Sequence, residues 1–234
     1  MKFFINNELV HFYFNKIKNS FLEAISPSGV NCIFCDNEAI VDSYSICDKC
    51  AANLVLVESC NSILNKIHEL DGMNAIFRYV GSVADGVKRF KYNDCTYLAS
   101  EYARFMEVND EWKIDIVVPV PLHKYKKRLR GYNQCELLAE QICINYKLEL
   151  NTKALTRVVY TKSQARQSVE ERETNLIQAF EADEIECKGK NILIIDDVCT
   201  TGSTIKECAS ALKSKGANKV YALVLCLSRE GNII

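Results

Sequence analysis

The chain has 234 residues, 48% hydrophobic and 25% charged, the balance of a folded protein of one or two domains with a sizeable core. Its 29 Lys and Arg stand against 30 Asp and Glu, a net charge of −1 that excludes a general polyanion binder and confines any nucleic-acid contact to a local patch. The longest clean apolar run is Val220 to Leu227, far short of the roughly 20 residues of a bilayer-spanning helix, so no transmembrane span is expected.

The opening MKFFINNELVHFYF has the Lys and Phe of a leader, but Asn6, Asn7 and Glu8 interrupt it and no small-residue cleavage site follows, which reads as the start of a mature cytoplasmic chain. Between residues 9 and 25, Phe14, Ile17, Phe21, Leu22 and Ile25 fall at helical spacing and Ser26-Pro27 stops the pattern. This is a packed helix or, as the sharper alternative, one that docks on a membrane surface or a partner.

Twelve Cys diluted over 234 residues do not suggest a disulfide framework, and four of them stand in paired spacing. Cys32-Ile-Phe-Cys35 and Cys47-Asp-Lys-Cys50 are two C-x-x-C knuckles, each turned tightly enough to present two thiolates to one cation. Together they complete the closed Cys₄ shell that Zn²⁺ prefers in structural sites, where metal binding is folding free energy. A redox dithiol and an iron–sulfur site are the competing readings. The other eight Cys, at 60, 95, 135, 143, 187, 199, 208 and 226, read as small buried hydrophobes.

Residues 52 to 68 carry Leu54, Leu56, Ile63, Leu64 and Ile67, a pattern suggesting further helix. An extended stretch AIFRYVGSV follows from Ala75, then an amphipathic segment through Tyr97, Leu98, Tyr102 and Phe105. The expected organisation is an N-terminal helical segment (1–31), a Cys₄ zinc ribbon with a connecting helix (32–74), and a larger domain (75–234).

That larger domain alternates. It has an apolar run at Ile114 to Val120, a helical face at Cys135, Leu138, Ala139, Ile142 and Tyr146, and an extended ALTRVVY at 154 to 160. Then come ILII at 192 to 195, a helix with Ile205, Cys208, Ala209 and Leu212 on one face, and VYALVLCL at 220 to 227. Short apolar strands separated by helices are what a parallel sheet covered on both faces requires, so an α/β doubly wound fold is expected. Ligands of such sheets bind beyond the carboxyl ends of the strands, after Val120, Tyr160 and Ile195.

The richest such segment is ILIIDDVCTTGST, Ile192 to Thr204. A buried strand delivers two adjacent acids, then small hydroxyl residues around one Gly before a helix. Thr204 and Glu207 are spaced as a capping box, and Gly216 marks the helix end. Unpaired N–H groups at a helix start suit a phosphate; Gly202 lets the backbone approach closely, and Thr200, Thr201, Ser203 and Thr204 add hydroxyl donors. Asp196 and Asp197 would repel that phosphate unless they face sugar hydroxyls or Mg²⁺, and a ribose phosphate satisfies both halves. The plain alternative is a capped strand-to-helix turn.

DDVCTTGST resembles the signature of type I phosphoribosyltransferases, and the whole layout is similar to their ComF branch of competence-associated proteins. These pair an N-terminal zinc ribbon with this domain and carry P-x-P then R-G-[YF]-N-Q, here Pro119-Val-Pro121 and Arg130-Gly131-Tyr132-Asn133-Gln134. The resemblance covers residues 32 to about 228. It implies phosphoribosyl pyrophosphate (PRPP) with Mg²⁺ as ligand, Asp196 and Asp197 on the ribose, and Thr200, Thr201, Gly202, Ser203 and Thr204 on the 5′-phosphate. The pyrophosphate loop would be Val120, Pro121, Leu122 and His123. Cys199 takes a variable position, and without an N-terminal nucleophilic Cys, glutamine amide transfer is not implied.

Lys124, Lys126, Lys127, Arg128 and Arg130 put five cations within seven residues. A solvated face, neutralisation of pyrophosphate and contact with nucleic-acid phosphates all fit. Arg130 belongs to the R-G-Y-N-Q stretch and is assigned to the site or its support; Lys124, Lys126, Lys127 and Arg128 are the candidates for a polyanion surface. Thr161 to Asn175 holds Lys162, Arg166 and Arg172, where the resemblance implies a closing lid. Two functions stay open: a phosphoribosyltransferase of unknown acceptor, and a PRPP sensor or single-stranded-DNA-binding accessory of the DNA-uptake machinery in natural transformation. A zinc-ribbon transcription factor is opposed by the net charge and by the lack of a recognition-helix pattern.

Overall fold

The computed structural model describes residues 31–39, 42–159 and 179–228. The helix expected at 9–25 and the lid at 161–175 lie outside them. Five strands form one sheet: β1 (Gly72–Arg78), β2 (Ile116–Pro119), β3 (Glu149–Leu150), β6 (Asn191–Cys199) and β7 (Lys219–Leu227). They lie in the order β1-β7-β6-β2-β3, and every neighbouring pair is parallel. β4 (Leu155–Arg157) and β5 (Phe180–Ala182) pair antiparallel in a separate ribbon. The ALTRVVY stretch is therefore no member of the main sheet, and the rule placing ligands beyond parallel strands does not extend to it.

The apolar runs explain this sheet, because consecutive residues bury against opposite layers. From β6, Leu193 and Ile195 pack with α3 (Gly81–Tyr92), α4 (Leu98–Ala103) and α6 (Gln134–Tyr146). Ile192 and Ile194 pack on the other face with α8 (Ser203–Ser214), through Ile205, Cys208, Ala209 and Leu212. Helices on both faces make the doubly wound α/β fold expected, and α6 and α8 bury the apolar positions their 3.6-residue spacing marks.

Two segments depart from expectation. Within 52–68 only α2 (Asn61–Leu64) is helical among the longer predicted stretch, while residues 55–57 lie extended along β1. Val57 N–H donates to Ile76 O at 2.9 Å and Arg78 N–H to Val55 O at 2.7 Å, so this segment satisfies the free edge of β1 and leaves Leu56 61% exposed. Gly81-Ser82-Val83, read as extended, opens α3. Two glycines lower that helix's propensity, but burial of Val83, Ala84, Gly86, Val87 and Phe90 along one side outweighs them.

The first Cys knuckle belongs to the same core as the sheet. Phe34 is fully buried, packs edge-on against Phe77 of β1 at 5.4 Å between ring centres, and stacks on Tyr102 of α4 at 5.9 Å. Tyr102 Oη donates to Ile33 O at 3.1 Å, and Arg89 of α3 donates to the same carbonyl at 2.9 Å. The division expected at 74/75 falls inside β1. Two further short helices are α1 (Asp48–Ala51), which carries the second knuckle's Cys50, and α7 (Glu184–Cys187), between β5 and β6.

Candidate functional site

The chain runs from β2 outward to β3, then returns to lay β6 on the other side of β2 with β7 beyond it. The order reverses between β2 and β6, and in a doubly wound sheet that is where a ligand crevice opens. Pairing of the two strands ends at Pro119↔Ile195, with Val120 N–H donating to Ile195 O at 2.9 Å, while β6 continues against β7 as far as Cys199↔Leu227. The acids predicted at a strand end thus lie inside β6, on a stretch whose β2-side edge is unpaired.

Adjacent residues of a strand face opposite layers, so Asp196 and Asp197 straddle that edge. Both are buried, at 7% and 3% exposure. Asp196 Oδ1 accepts from the Cys135 thiol at 3.2 Å and from the Asp197 N–H at 2.9 Å. On the other face Lys91 Nζ, from the last turn of α3, lies 3.1 Å from Asp197 Oδ2, yet that oxygen has no aligned hydrogen bond and keeps acceptor capacity. Burial, reinforced by the Asp197 charge, pushes Asp196 up to about 7. Burial alone would lower Lys91, but the two carboxylates outweigh it and hold it charged. The Cys135 thiol is held protonated by burial and by both acids.

Cys135 Sγ and an oxygen of each acid lie within 4.8 Å of one another. A protonated thiol is a poor ligand for a hard cation, whereas two carboxylates with an unspent acceptor suit Mg²⁺ or ribose hydroxyls. Sequence reading had Cys135 as mere core and did not find Lys91, whose signal was available only as a Lys interrupting the apolar face of a helix not foreseen.

Beyond Cys199 the chain turns through Thr200 to Gly202 into α8. Gly202 has φ +87°, and a Cβ there would stand 3.0 Å from both Ile63 Cγ2 and Ile67 Cδ1, so glycine is required for conformation and for space. It is the N-cap of α8, and the Thr204/Glu207 capping box does not form, because the helix starts two residues earlier than that pattern needs. Thr201 and Ser203 hydroxyls bond each other at 2.7 Å. Thr200, Thr201, Ser203 and Thr204 are all half-buried, at the N-terminus of a 12-residue helix. Gly216, at φ +84°, follows the helix end as expected.

Val120 is buried and Pro121 and Leu122 are half-buried on the segment leaving β2; His123 caps α5 (Lys124–Arg130) through Nδ1, accepting from Tyr125 N–H at 3.2 Å. The R-G-Y-N-Q stretch fastens this segment. Gly131, at φ +84°, ends α5; Tyr132 Oη donates to Phe90 O; Asn133 Nδ2 donates to Val120 O at 3.0 Å while its Oδ1 caps α6. Arg130 donates to Gln134 and lies over the Tyr92 ring at 5.0 Å.

The basic residues divide. Lys127 is paired with Glu136 at 2.7 Å, and Lys124 and Arg128 are exposed. Lys126 is half-buried: burial, then the charges of Arg157, Arg130 and Lys91, push its ammonium down. Arg157, from β4 and unforeseen in the sequence, is depressed by burial and partly restored by Cys208 and Asp196. These cations are near enough for Lys126 to feel the charges of Arg157, Arg130 and Lys91, and Arg157 in turn feels Asp196.

The four knuckle thiols lie within 4.8 Å of one another, with Cys32, Cys47 and Cys50 buried. Cys35 Sγ and Cys47 Sγ are 3.8 Å apart, which matches the edge of roughly 3.8 Å in a tetrahedron of sulfurs about 2.3 Å from Zn²⁺. Against its burial, backbone N–H groups from Cys35, Cys47 and Phe34 bring Cys32 to about 7, whereas burial pushes Cys35 up and Cys50 up to about 12, so the metal's own charge would supply the remaining thiolate stabilisation. The donor set fits a zinc ion.

The Phosphoribosyl transferase domain family matches residues 132–233. DNA utilization protein YhgH of Salmonella typhimurium is 30% identical over 214 residues, 87% of this chain and 92% of its own length. Competence protein F of Haemophilus influenzae is 27% identical over 207 residues, 84% of this chain and 89% of that protein. The chain belongs to the ComF family. Among solved structures, a glutamine PRPP amidotransferase from B. subtilis is 19% identical with a TM-score of 0.37, covering 59% of this chain and 27% of that one. This ComF-family chain has no helix, among its described residues, long and apolar enough to cross a membrane.

Proposed function

We propose that this ComF-family protein binds PRPP with Mg²⁺ in the crevice between β2 and β6 and acts in the uptake of single-stranded DNA during natural transformation. The carrying observation is the charge layout at the point where the strand order reverses. Two buried carboxylates straddle an unpaired strand edge, a helix N-terminus with four hydroxyl residues follows them, and Lys126, Arg130, Arg157 and Lys91 form a neighbouring cationic group, of which Lys91 and Arg157 feel Asp196. Asp196 and Asp197 accept from the ribose hydroxyls, Thr200 to Thr204 donate to the 5′-phosphate, and Val120 to Leu122 line the pyrophosphate. Mg²⁺ on PRPP would supply charge neutralisation of the pyrophosphate. The chain's own residues orient the ribose and offset the charge of the departing group, which is what phosphoribosyl transfer to an acceptor requires. Zn²⁺ in the Cys₄ site holds the first knuckle against α3.

The test is calorimetric titration of the zinc-loaded chain with PRPP and Mg²⁺, with Asp196→Asn/Asp197→Asn as control. Saturable binding in the parent that disappears in the control supports the reading; no binding in the parent refutes it.

The DNA role has its own support. α5 buries none of its residues, and Lys124, Arg128, Tyr125 and Leu129 all face solvent, with Tyr92 68% exposed beneath Arg130. Exposed rings beside cations are the surface a single strand stacks on. Binding of a fluorescent oligonucleotide should weaken steeply with salt, and Lys124→Ala/Arg128→Ala should flatten that slope.

A further inference from the structure

We infer that Lys91 is a positioning residue of this site: it holds the Asp197 carboxylate at the unpaired edge of β6 and presents the ammonium that the ligand's pyrophosphate meets there. This inference rests on the PRPP reading and adds a residue that no sequence motif marks.

Its position is fixed by the two residues before it. Arg89 donates to Ile33 O at 2.9 Å and pairs with Asp36, which ties the last turn of α3 to the Cys knuckle. The Phe90 carbonyl accepts from Tyr132 Oη, which ties the same turn to the R-G-Y-N-Q stretch. Lys91 follows, its side chain 19% exposed, with Nζ 3.1 Å from Asp197 Oδ2. Three consecutive residues thus join the metal knuckle, the strap on the β2 loop and the acid pair.

Lys91 also belongs to both halves of the crevice's charge. It pairs with Asp197 and feels the charge of Asp196, and it is also one of the cations, with Arg157 and Arg130, whose field Lys126 feels. A buried ammonium is costly to desolvate unless it is paired, and its single carboxylate contact engages one of the three donors of Nζ. A ligand with hydroxyls at one end and an anionic diphosphate at the other fills both needs: the hydroxyls go to the acids, and the diphosphate completes the coordination of Nζ.

The test titrates the full, zinc-loaded chain with Mg²⁺–PRPP and separately with Mg²⁺–pyrophosphate, in the parent, Lys91→Met, Lys91→Arg, Asp197→Asn and Lys91→Met/Asp197→Asn. Losing one charge-assisted contact should weaken Lys91→Met for both ligands by about tenfold or more, with Lys91→Arg recovering most of it. Asp197→Asn should weaken PRPP but leave pyrophosphate, which has no ribose hydroxyls, near the parent value. The double variant removes both buried charges and keeps the chain folded if the single one does not; it should bind pyrophosphate as weakly as Lys91→Met. Parent-like pyrophosphate binding by Lys91→Met or by the double variant overturns the role of Lys91 while leaving PRPP binding intact. A parent chain that binds neither ligand overturns both readings.

Discussion

Gly86 is the position where the packing of the Cys knuckle on α3 meets its strictest demand. A Cβ there would stand 2.6 Å from Tyr102 Oη, 3.0 Å from Ile33 O and 3.1 Å from Phe34 Cα. Two of those atoms are knuckle backbone, and Tyr102 is fully buried with its hydroxyl committed to Ile33 O, so none has room to give. In Gly86→Ala the helix gains about 1 kcal/mol of propensity. Overpacking costs about 1–3 kcal/mol, and displacing the Tyr102 hydroxyl from its partner costs about 1–3 kcal/mol more. The net expectation is destabilisation of about 3 kcal/mol, on the order of 6–12 °C in Tm for a chain this long. Urea and thermal melts followed by circular dichroism measure it on the metal-loaded protein. A variant as stable as the parent, or more stable by the propensity gain, would refute a knuckle seated on α3.

Removing the metal with a chelator should melt the knuckle and, because Arg89 then loses Ile33 O, also abolish PRPP binding; full binding after chelation, read by calorimetry, would contradict that coupling. Asn133→Ala removes the cap of α6 and the donor to Val120 O, and should cost about 2–4 kcal/mol in a denaturant melt together with weaker PRPP binding. Asp196 is raised in the fold to about 7 against an unfolded value near 4, so its contribution to stability is present below about pH 4 and is lost as pH climbs through 7. Ligand-free Asp196→Asn should therefore be more stable than the parent at pH 8, by a few kcal/mol, with the gap closing towards pH 4; a gap that does not change with pH would show the carboxylate is not held up by burial.

The sheet was legible because β2, β6 and β7 are buried on both faces and read as unbroken apolar runs. The acid pair and the glycine turn were legible because they are contiguous in sequence. Lys91 and Arg157 were not, since each reaches the crevice from an element distant in sequence, and α3 is a helix whose glycines hide its period. The edge segment 55–57 was missed because its reward is backbone pairing with β1, which side-chain periodicity does not report. The capping box failed for a local reason: Gly202 starts the helix itself, in a left-handed conformation that places Thr204 inside the first turn.

Amide hydrogen exchange of the zinc-loaded chain, with and without Mg²⁺–PRPP, tests most directly where the ligand sits. The N–H groups that open α8 have no intrahelical partners, and apart from Ser203, whose N–H donates to Thr201 Oγ1 at 3.3 Å, they are open to exchange without a ligand. The crevice reading predicts slowed exchange confined to residues 200–205 and 122–123. Saturating PRPP that leaves those amides unchanged, or protects only a distant segment, would contradict it.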